Sequence, residues 1–147
     1  MKFLVSTVAL LTTSAAAVQL QYDNHYDDAG ASLATTACSD GPNGLLTKGY
    51  TTFGSLPRFP YIGAVDAIEG WNSGQCGSCW RITYNGKTIH ILGVDHAGSG
   101  FNVAQAAMDD LTNGQAVNLG NIEVDAAQVS ARDCGFCRGC SAPGSGQ

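Results

Sequence analysis

This chain carries little charge. Only 13% of its 147 residues are Asp, Glu, Lys or Arg, and the seven basic ones are scattered without a cluster. A polyanion would find no run of cations from which to release counterions, so nucleic-acid binding is excluded as a function class. Beyond the N-terminus, no apolar run approaches membrane-spanning length. No Asn-x-Ser/Thr triplet occurs, so no N-linked glycan is expected. There is no internal repeat, and the length suits one domain with a real core.

The first residues are a different matter. Lys2, the apolar run Phe3 to Leu11 and Ala15-Ala16-Ala17 read as a secretory signal peptide spanning 1–17, cut after Ala17 and too short to be a stable membrane span. Removing Lys2 leaves six basic against twelve acidic residues, a net charge of −6. Nineteen glycines with so few charges point to many tight turns, a β-rich architecture and neutral ligands such as sugars. Six cysteines in an exported chain read as a disulfide framework, for which the sequence allows fifteen connectivities.

Along the chain, Val18 to Tyr22 alternates apolar and polar residues as a half-buried strand does. Asp23 to Gly30 is expected to be a surface loop, and Ala31 to Ala37 a single helical turn. Ser39 to Gly44 is dense turn punctuation. Leu45 to Thr52 reads as a short strand broken by Gly49. Pro57 and Pro60 forbid regular pairing around them, and Tyr61 to Val65 returns to strand character. Trp80 to Tyr84 and Lys87 to Val94 are β-branched and aromatic, joined by Asn85-Gly86, the signature of a tight type I′ hairpin. Asn102 is expected to cap a helix over Val103 to Thr112, stopped by Asn113-Gly114. Val103, Ala106, Ala107 and Leu111 would face the core, with Gln105, Asp109 and Asp110 turned away. Ile122 to Ser130 is a last strand, and 141–147 a disordered end of a flexible 137–147 tail.

Cys76-x-x-Cys79 and Cys134-x-x-Cys137 have the form of a four-thiolate zinc set. Their spacer of about 54 residues is far longer than a zinc ribbon uses, and the compartment is oxidising. Structural disulfides are the better reading, and a thioredoxin-like redox role is poorer still. No metal or cofactor is expected.

Asp95 closes the apolar run Ile89, Ile91 and Val94, where a carboxylate needs solvent or hydrogen-bond donors. Capping the Gly98-Ser-Gly100 backbone and binding a ligand are both open to it. Glycoside hydrolysis ordinarily takes two carboxylates. Candidates for a second are Asp23, Asp40, Asp66 and Glu69, none in a recognisable motif, so a binding protein is favoured over a hydrolase. His96 would face away from Asp95 on a strand, and His90 and His25 lack metal-ligand spacing. Trp71, in a loop, is a candidate to stack on a sugar face, whereas Trp80 reads as core. Tyr22 and Asn102 are weaker candidates, because their elements should end near Asp95.

Several segments together resemble the cerato-platanin family of small secreted fungal proteins. They are Cys38-Ser-Asp-Gly, Leu46-Thr-Lys-Gly-Tyr-Thr-Thr, Gly54-Ser-Leu-Pro-Arg-Phe-Pro-Tyr-Ile-Gly63, Gly70-Trp-Asn-Ser, Cys76-Gly-Ser-Cys-Trp80, Tyr84-Asn-Gly-Lys and Val94-Asp-His-Ala97. The likeness runs from about Val18 to Cys134, with a domain drawn at 18–136, and a fainter one extends to barwin-like and expansin-like domains. It implies a double-ψ β-barrel with short flanking helices and disulfides Cys38–Cys76 and Cys79–Cys134. Cys137 and Cys140 depart from the family pattern: they can pair with each other (the favoured option), reshuffle the Cys79 bridge, or link two chains.

The resemblance also implies function. Asp95 matches an acidic residue in a shallow groove implicated in binding N-acetylglucosamine oligomers. Gly93-Val94-Asp95 matches an expansin-type His-Phe-Asp triplet whose histidine is missing here. The implied protein is secreted to the cell wall or beyond, disrupts polysaccharide packing without cutting it, and is sensed by plants as an elicitor. Its expected partners are chitin-type oligosaccharides, wall polysaccharide and a plant-surface receptor, with no nucleic acid or membrane. The alternatives are a weak endoglucanase-like enzyme and a surface-active protein that self-assembles at interfaces.

Overall fold

The computed structural model describes residues 3–9 and 16–137. Among the described residues, six strands close into a barrel: β1 (Ala16–Tyr22), β2 (Ile62–Val65), β3 (Cys79–Tyr84), β4 (Lys87–His96), β5 (Phe101–Val103) and β6 (Asn121–Val129). Their spatial order is β1-β5-β2-β4-β3-β6. The β1/β5 and β2/β4 pairs are parallel and the rest antiparallel. Two interleaved parallel pairs in a closed six-stranded barrel give the double-ψ architecture.

The β3–β4 hairpin forms where the sequence places it. Asn85 and Gly86 both hold positive φ, 46° and 80°, and Ile82 faces Ile89 across the pair. The first strand begins at Ala16, two residues before the expected cleavage point, with Ala16 opposite Ala126 and Ala17 opposite Asp125.

Register separates two apolar layers, because paired residues share a face. Leu20, Phe101, Val103, Ile82, Ile89, Ile122 and Val124 line the barrel interior. Trp80 joins them, partly buried and edge-on to Phe101 at 5.5 Å between ring centroids. Cys79 and Leu92 face outward on the sheet and are nonetheless fully buried. They belong to an outer core with Leu33, Leu45, Phe53, Leu56 and Phe136.

Two strands of the barrel approach closely at Gly63, in β2. A Cβ there would lie 2.5 Å from the Asn102 carbonyl oxygen and 2.7 Å from Val103 Cα, both backbone atoms. Gly63→Ala therefore forces β2 and β5 apart. We expect a loss of about 2–3 kcal/mol in urea unfolding.

Four expectations are corrected. Leu45 to Thr52 is not a strand. Leu46–Lys48 is a 3₁₀ turn closed by Gly49 at φ 95°, and Thr47 Oγ1 donates to the Gly41 and Gly44 carbonyls, which satisfies the segment locally. Asp23 to Gly30 is a loop with a 3₁₀ turn, Asn24–Asp27, that buries Tyr26. Asn102 does not cap the helix: it sits inside β5, and helix α1 spans Gln105–Thr112. Asp27 from the distant loop supplies the cap, accepting from Gln105 N (2.8 Å) and Ala106 N (3.0 Å). The buried face of α1 is Ala107, Met108, Leu111 and Thr112, whereas Ala106 is exposed.

The acidic residues of α1 are not idle either. Asp110 accepts from Tyr61 Oη (2.7 Å) and Lys87 Nζ (2.8 Å), which holds its carboxyl below the usual range, the Lys87 bond contributing most. Asp109 accepts from Ala116 N (3.0 Å) at the start of α2 (Ala116–Leu119).

Two disulfides join Cys38 to Cys76 and Cys79 to Cys134, the pairing that the resemblance implies. Cys137 is also disulfide-bonded. Cys140 and the rest of the tail lie outside the described residues, as does much of the expected signal peptide. No helix among the described residues is long and apolar enough to cross a membrane.

Candidate functional site

Asp95 stands near the C-terminal end of β4, half-buried, beside a break in register. Gly63 pairs with Gly93 but Ala64 pairs with Asp95, so Val94 is the extra residue. A bulge of this kind re-aims the side chain that follows it. The register then draws a transverse row over four strands: Gln21 beside Asn102, Asn102 beside Ala64, Ala64 beside Asp95. This row lies on the outer face of the sheet, because the neighbouring positions Leu20, Phe101 and Val103 fill the barrel, and Ala64 within it is buried.

Three protein donors converge on the Asp95 carboxylate. Oδ1 accepts from Ala37 N (2.8 Å) and His96 N (2.9 Å), and Oδ2 accepts from Tyr26 Oη (2.9 Å). A carboxylate offers about four acceptor directions, so one, on Oδ2, is not taken by a protein donor among the described residues. Asp95 does not cap the Gly98–Gly100 loop. That work falls to Asp66, whose Oδ2 accepts from Gly100 N (2.9 Å).

Tyr26 is the member of this cluster that sequence reasoning missed. It lies in a polar loop, Asn24-His25-Tyr26-Asp27, with no apolar periodicity to mark it as buried. In the fold only 5% of it is exposed, and its ring stacks on Phe53 at 5.7 Å. Burial first, then the Asp95 charge and hydrogen bond, push its hydroxyl pKa far above the ordinary value of 10.0. A folded pKa raised above the unfolded one stabilises fully below pH 10, and that stability is lost as pH rises beyond it. Above pH 10 Tyr26 alone should cost about 1.4 kcal/mol per pH unit. Tyr50 and Tyr61 are raised too, so the slope belongs to Tyr26 only as far as Tyr26→Phe removes it. Urea unfolding at pH 9.5, 10.5 and 11 checks this.

The other candidates are dispersed. Asn102 shares the outer row with Asp95. Tyr22 pairs with Val103 and so faces the interior side of β1, opposite to Asn102. Trp71 is 63% exposed in a separate loop, with Nε1 donating to Asp40 Oδ1 at 2.6 Å. His96 reaches another loop: its Nδ1 donates to the Ile68 carbonyl (2.6 Å).

The possible second carboxylates have structural tasks. Asp23 Oδ1 accepts from His25 N, Asp40 holds Trp71 and Asp66 holds Gly100. Glu69 is exposed. Of these, register brings Asp66 near Asp95, since it follows Val65, the partner of His96. A polar cleft of about 260 Å³ lies elsewhere, lined by Ala17, Thr83, Tyr84, Asn85, Glu123, Val124 and Asp125. Its acids were not singled out from sequence, and they do not serve Asp95. Asp125 is aligned with Thr83 and Thr88, and Thr88 stands seven residues before Asp95 on β4, about 23 Å along a strand. That exceeds any catalytic carboxylate spacing. No group of three or more His, Cys, Asp or Glu among the described residues is arranged to hold a metal ion.

The family model for cerato-platanin matches residues 18–136. The chain belongs to the cerato-platanin family. It is 64% identical to the crystal structure of cerato-platanin 3 from M. perniciosa, with a TM-score of 0.79, covering 82% of this chain and all of that one. The solution structure of the fungal elicitor Cerato-Platanin is 39% identical with a TM-score of 0.73, over 80% of this chain and 96% of that one. Among curated proteins, the heat-stable 19 kDa antigen of Coccidioides immitis is 48% identical over 125 residues, 85% of this chain and 86% of that protein. Cerato-platanins are small secreted fungal proteins, and the two disulfides suit that setting. The matched relatives are named as antigens, allergens and cerato-platanins, not as enzymes.

Proposed function

We propose that this cerato-platanin binds chitin-type N-acetylglucosamine oligomers without cutting them, on the outer surface built around Asp95 and Asn102. In doing so it would loosen polysaccharide packing in the cell wall, and plants would sense it as an elicitor. The observation that carries the reading is the Asp95 carboxylate itself, half-exposed, fixed by three protein donors, with one acceptor direction open. A carboxylate fixed in this way is pre-organised to receive a hydroxyl or acetamide N–H, so little freedom is lost on binding. Tyr22, half-exposed at the end of β1 on the other face from Gln21, is a further candidate contact.

The test is co-sedimentation of the mature protein with insoluble chitin, read beside a reducing-end assay on the same suspension. Retention on chitin with no release of reducing ends is the expected result. Release that disappears in both Asp95→Asn and Asp66→Asn would instead identify an endoglycanase using that pair.

A further inference from the structure

We infer that Trp71 is a second, separate subsite, a fixed platform on which one pyranose ring of a neutral polysaccharide stacks. The inference rests on the carbohydrate-binding reading above and extends it to a surface that Asp95 does not form.

An exposed indole alone says little, since single exposed apolar residues are common on soluble proteins. What distinguishes Trp71 is that it is exposed and immobilised together. Its N–H donates to Asp40 Oδ1 at 2.6 Å, a charge-assisted bond that fixes the direction of the ring. That bond is also the main reason the Asp40 carboxyl titrates below its usual value. The six-membered ring rests against Gly41, where φ is +83° and a Cβ would lie 3.0 Å from Trp71 Cζ2. Asn72, next in sequence, has φ of 59° and locks the two loops together: Asn43 N donates to its Oδ1 (2.9 Å) and Asn43 Nδ2 to its carbonyl (3.0 Å). The Cys38–Cys76 disulfide closes the same pair of loops. A ring held so firmly loses little freedom when a ligand covers it.

The rim identifies the class of ligand. Asp40 Oδ2, Asn43 Oδ1 and Asn72 Nδ2 make no hydrogen bond to protein among the described residues. Two acceptors and one donor are therefore left on the residues that hold the ring and its loops. Sugar hydroxyls both donate and accept, and a pyranose presents a flat C–H face to a π-system. An anion would meet the Asp40 charge. A quaternary ammonium is usually walled by several rings, and none of the aromatic pairs formed among the described residues includes Trp71.

The platform is tied to the Asp95 surface by one short segment. Ala37 donates to Asp95, and Asp40, three residues later, holds Trp71. Three residues span at most about 11 Å between Cα atoms. Longer oligomers should therefore gain more from Trp71 than short ones.

The indole N–H signals of the mature protein test this directly, because the chain has two tryptophans and Trp80, bonded to Ser78, serves as the internal control. The probe is the N-acetylglucosamine hexamer, with the glucose hexamer of cellulose beside it. Saturable movement of the Trp71 signal with a still Trp80 signal is expected. Trp71→Ala should weaken hexamer binding about ten-fold and leave trimer binding almost unchanged, while Trp71→Phe restores most of the loss. Thermal midpoints should match the parent, since the ring is exposed. If the hexamer moves signals around Asp95 and leaves Trp71 still, the subsite is wrong and the binding reading stands. If neither hexamer moves any signal, both fall. A Trp71 signal that shifts with protein concentration and no sugar would mean that a second copy of the chain covers the ring, which also overturns the subsite.

Discussion

Replacing both Cys79 and Cys134 with alanine is expected to lower the unfolding free energy by about 4 kcal/mol, on the chain-entropy account of a bridge closing a loop of 55 residues. Domain stabilities commonly lie at about 5–15 kcal/mol, so this one change removes a large share. Both cysteines are fully buried in the outer core, and Cys79 lies opposite Leu92, so two alanines also leave unfilled space. The bridge pins the Ala131–Cys134 turn to the start of β3, and Phe136 just beyond that turn packs against Gly77, where a Cβ would lie 2.3 Å from the ring. Loss of the bridge should thus free the C-terminal end first. Urea unfolding without reductant measures the total, and amide exchange of residues 131–136 shows where it begins. A change below about 1 kcal/mol would mean that packing alone holds the turn.

Asp95→Ala carries the other large effect, in two separable parts. Sugar binding should fall at least about ten-fold, since the open acceptor is gone. Stability should fall by about 2 kcal/mol, because the buried Tyr26 hydroxyl and the Ala37 and His96 N–H groups lose their common acceptor. Two further variants divide these parts. Asp95→Asn keeps one oxygen for Ala37 and His96 while losing the charge and the open direction, so it should remain folded and bind weakly. Tyr26→Phe removes a donor and opens a second position on Oδ2, so it should keep its sugar affinity while losing about 1 kcal/mol of stability. If Asp95→Asn binds as tightly as the parent, the carboxylate is there only to order the Ala37 loop.

The parts of this fold that local chemistry dictates were legible in the sequence. The Asn85-Gly86 turn has one preferred geometry, and the flanking Ile82, Ile89 and Ile91 have one face to bury. Tyr61 to Val65 and Ile122 to Ser130 also read as strands, and β2 and β6 lie there, β2 buried at every position. Legibility failed where distant residues supply the local need. Asn102 looks like a cap because it precedes an apolar helical pattern, yet the cap comes from Asp27, 78 residues away. Leu45 to Thr52 has strand composition, but the Leu45, Leu46, Lys48, Gly49 and Tyr50 N–H groups are taken by turns within 38–50, and those of Thr51 and Thr52 by Ser55 Oγ. Tyr26 was hidden for the same reason: nothing in a polar loop announces that the loop folds over a bulged strand. Asp95 stood out because a carboxylate ending an apolar strand must find donors, and in the fold three reach it. Which donors it found depended on the barrel register, which a single sequence does not state.

The central claim is that the surface around Asp95 receives N-acetylglucosamine oligomers. Titrating the isotope-labelled mature protein with the N-acetylglucosamine tetramer tests it most directly, because the Ala37 and His96 amides donate to the Asp95 carboxylate and report on it. The account predicts saturable shifts of those two amides and of Asn102, with the β3–β4 hairpin tip at Asn85 unmoved. Saturable shifts confined to residues away from Ala37, His96 and Asn102, or no shifts at all, would contradict it.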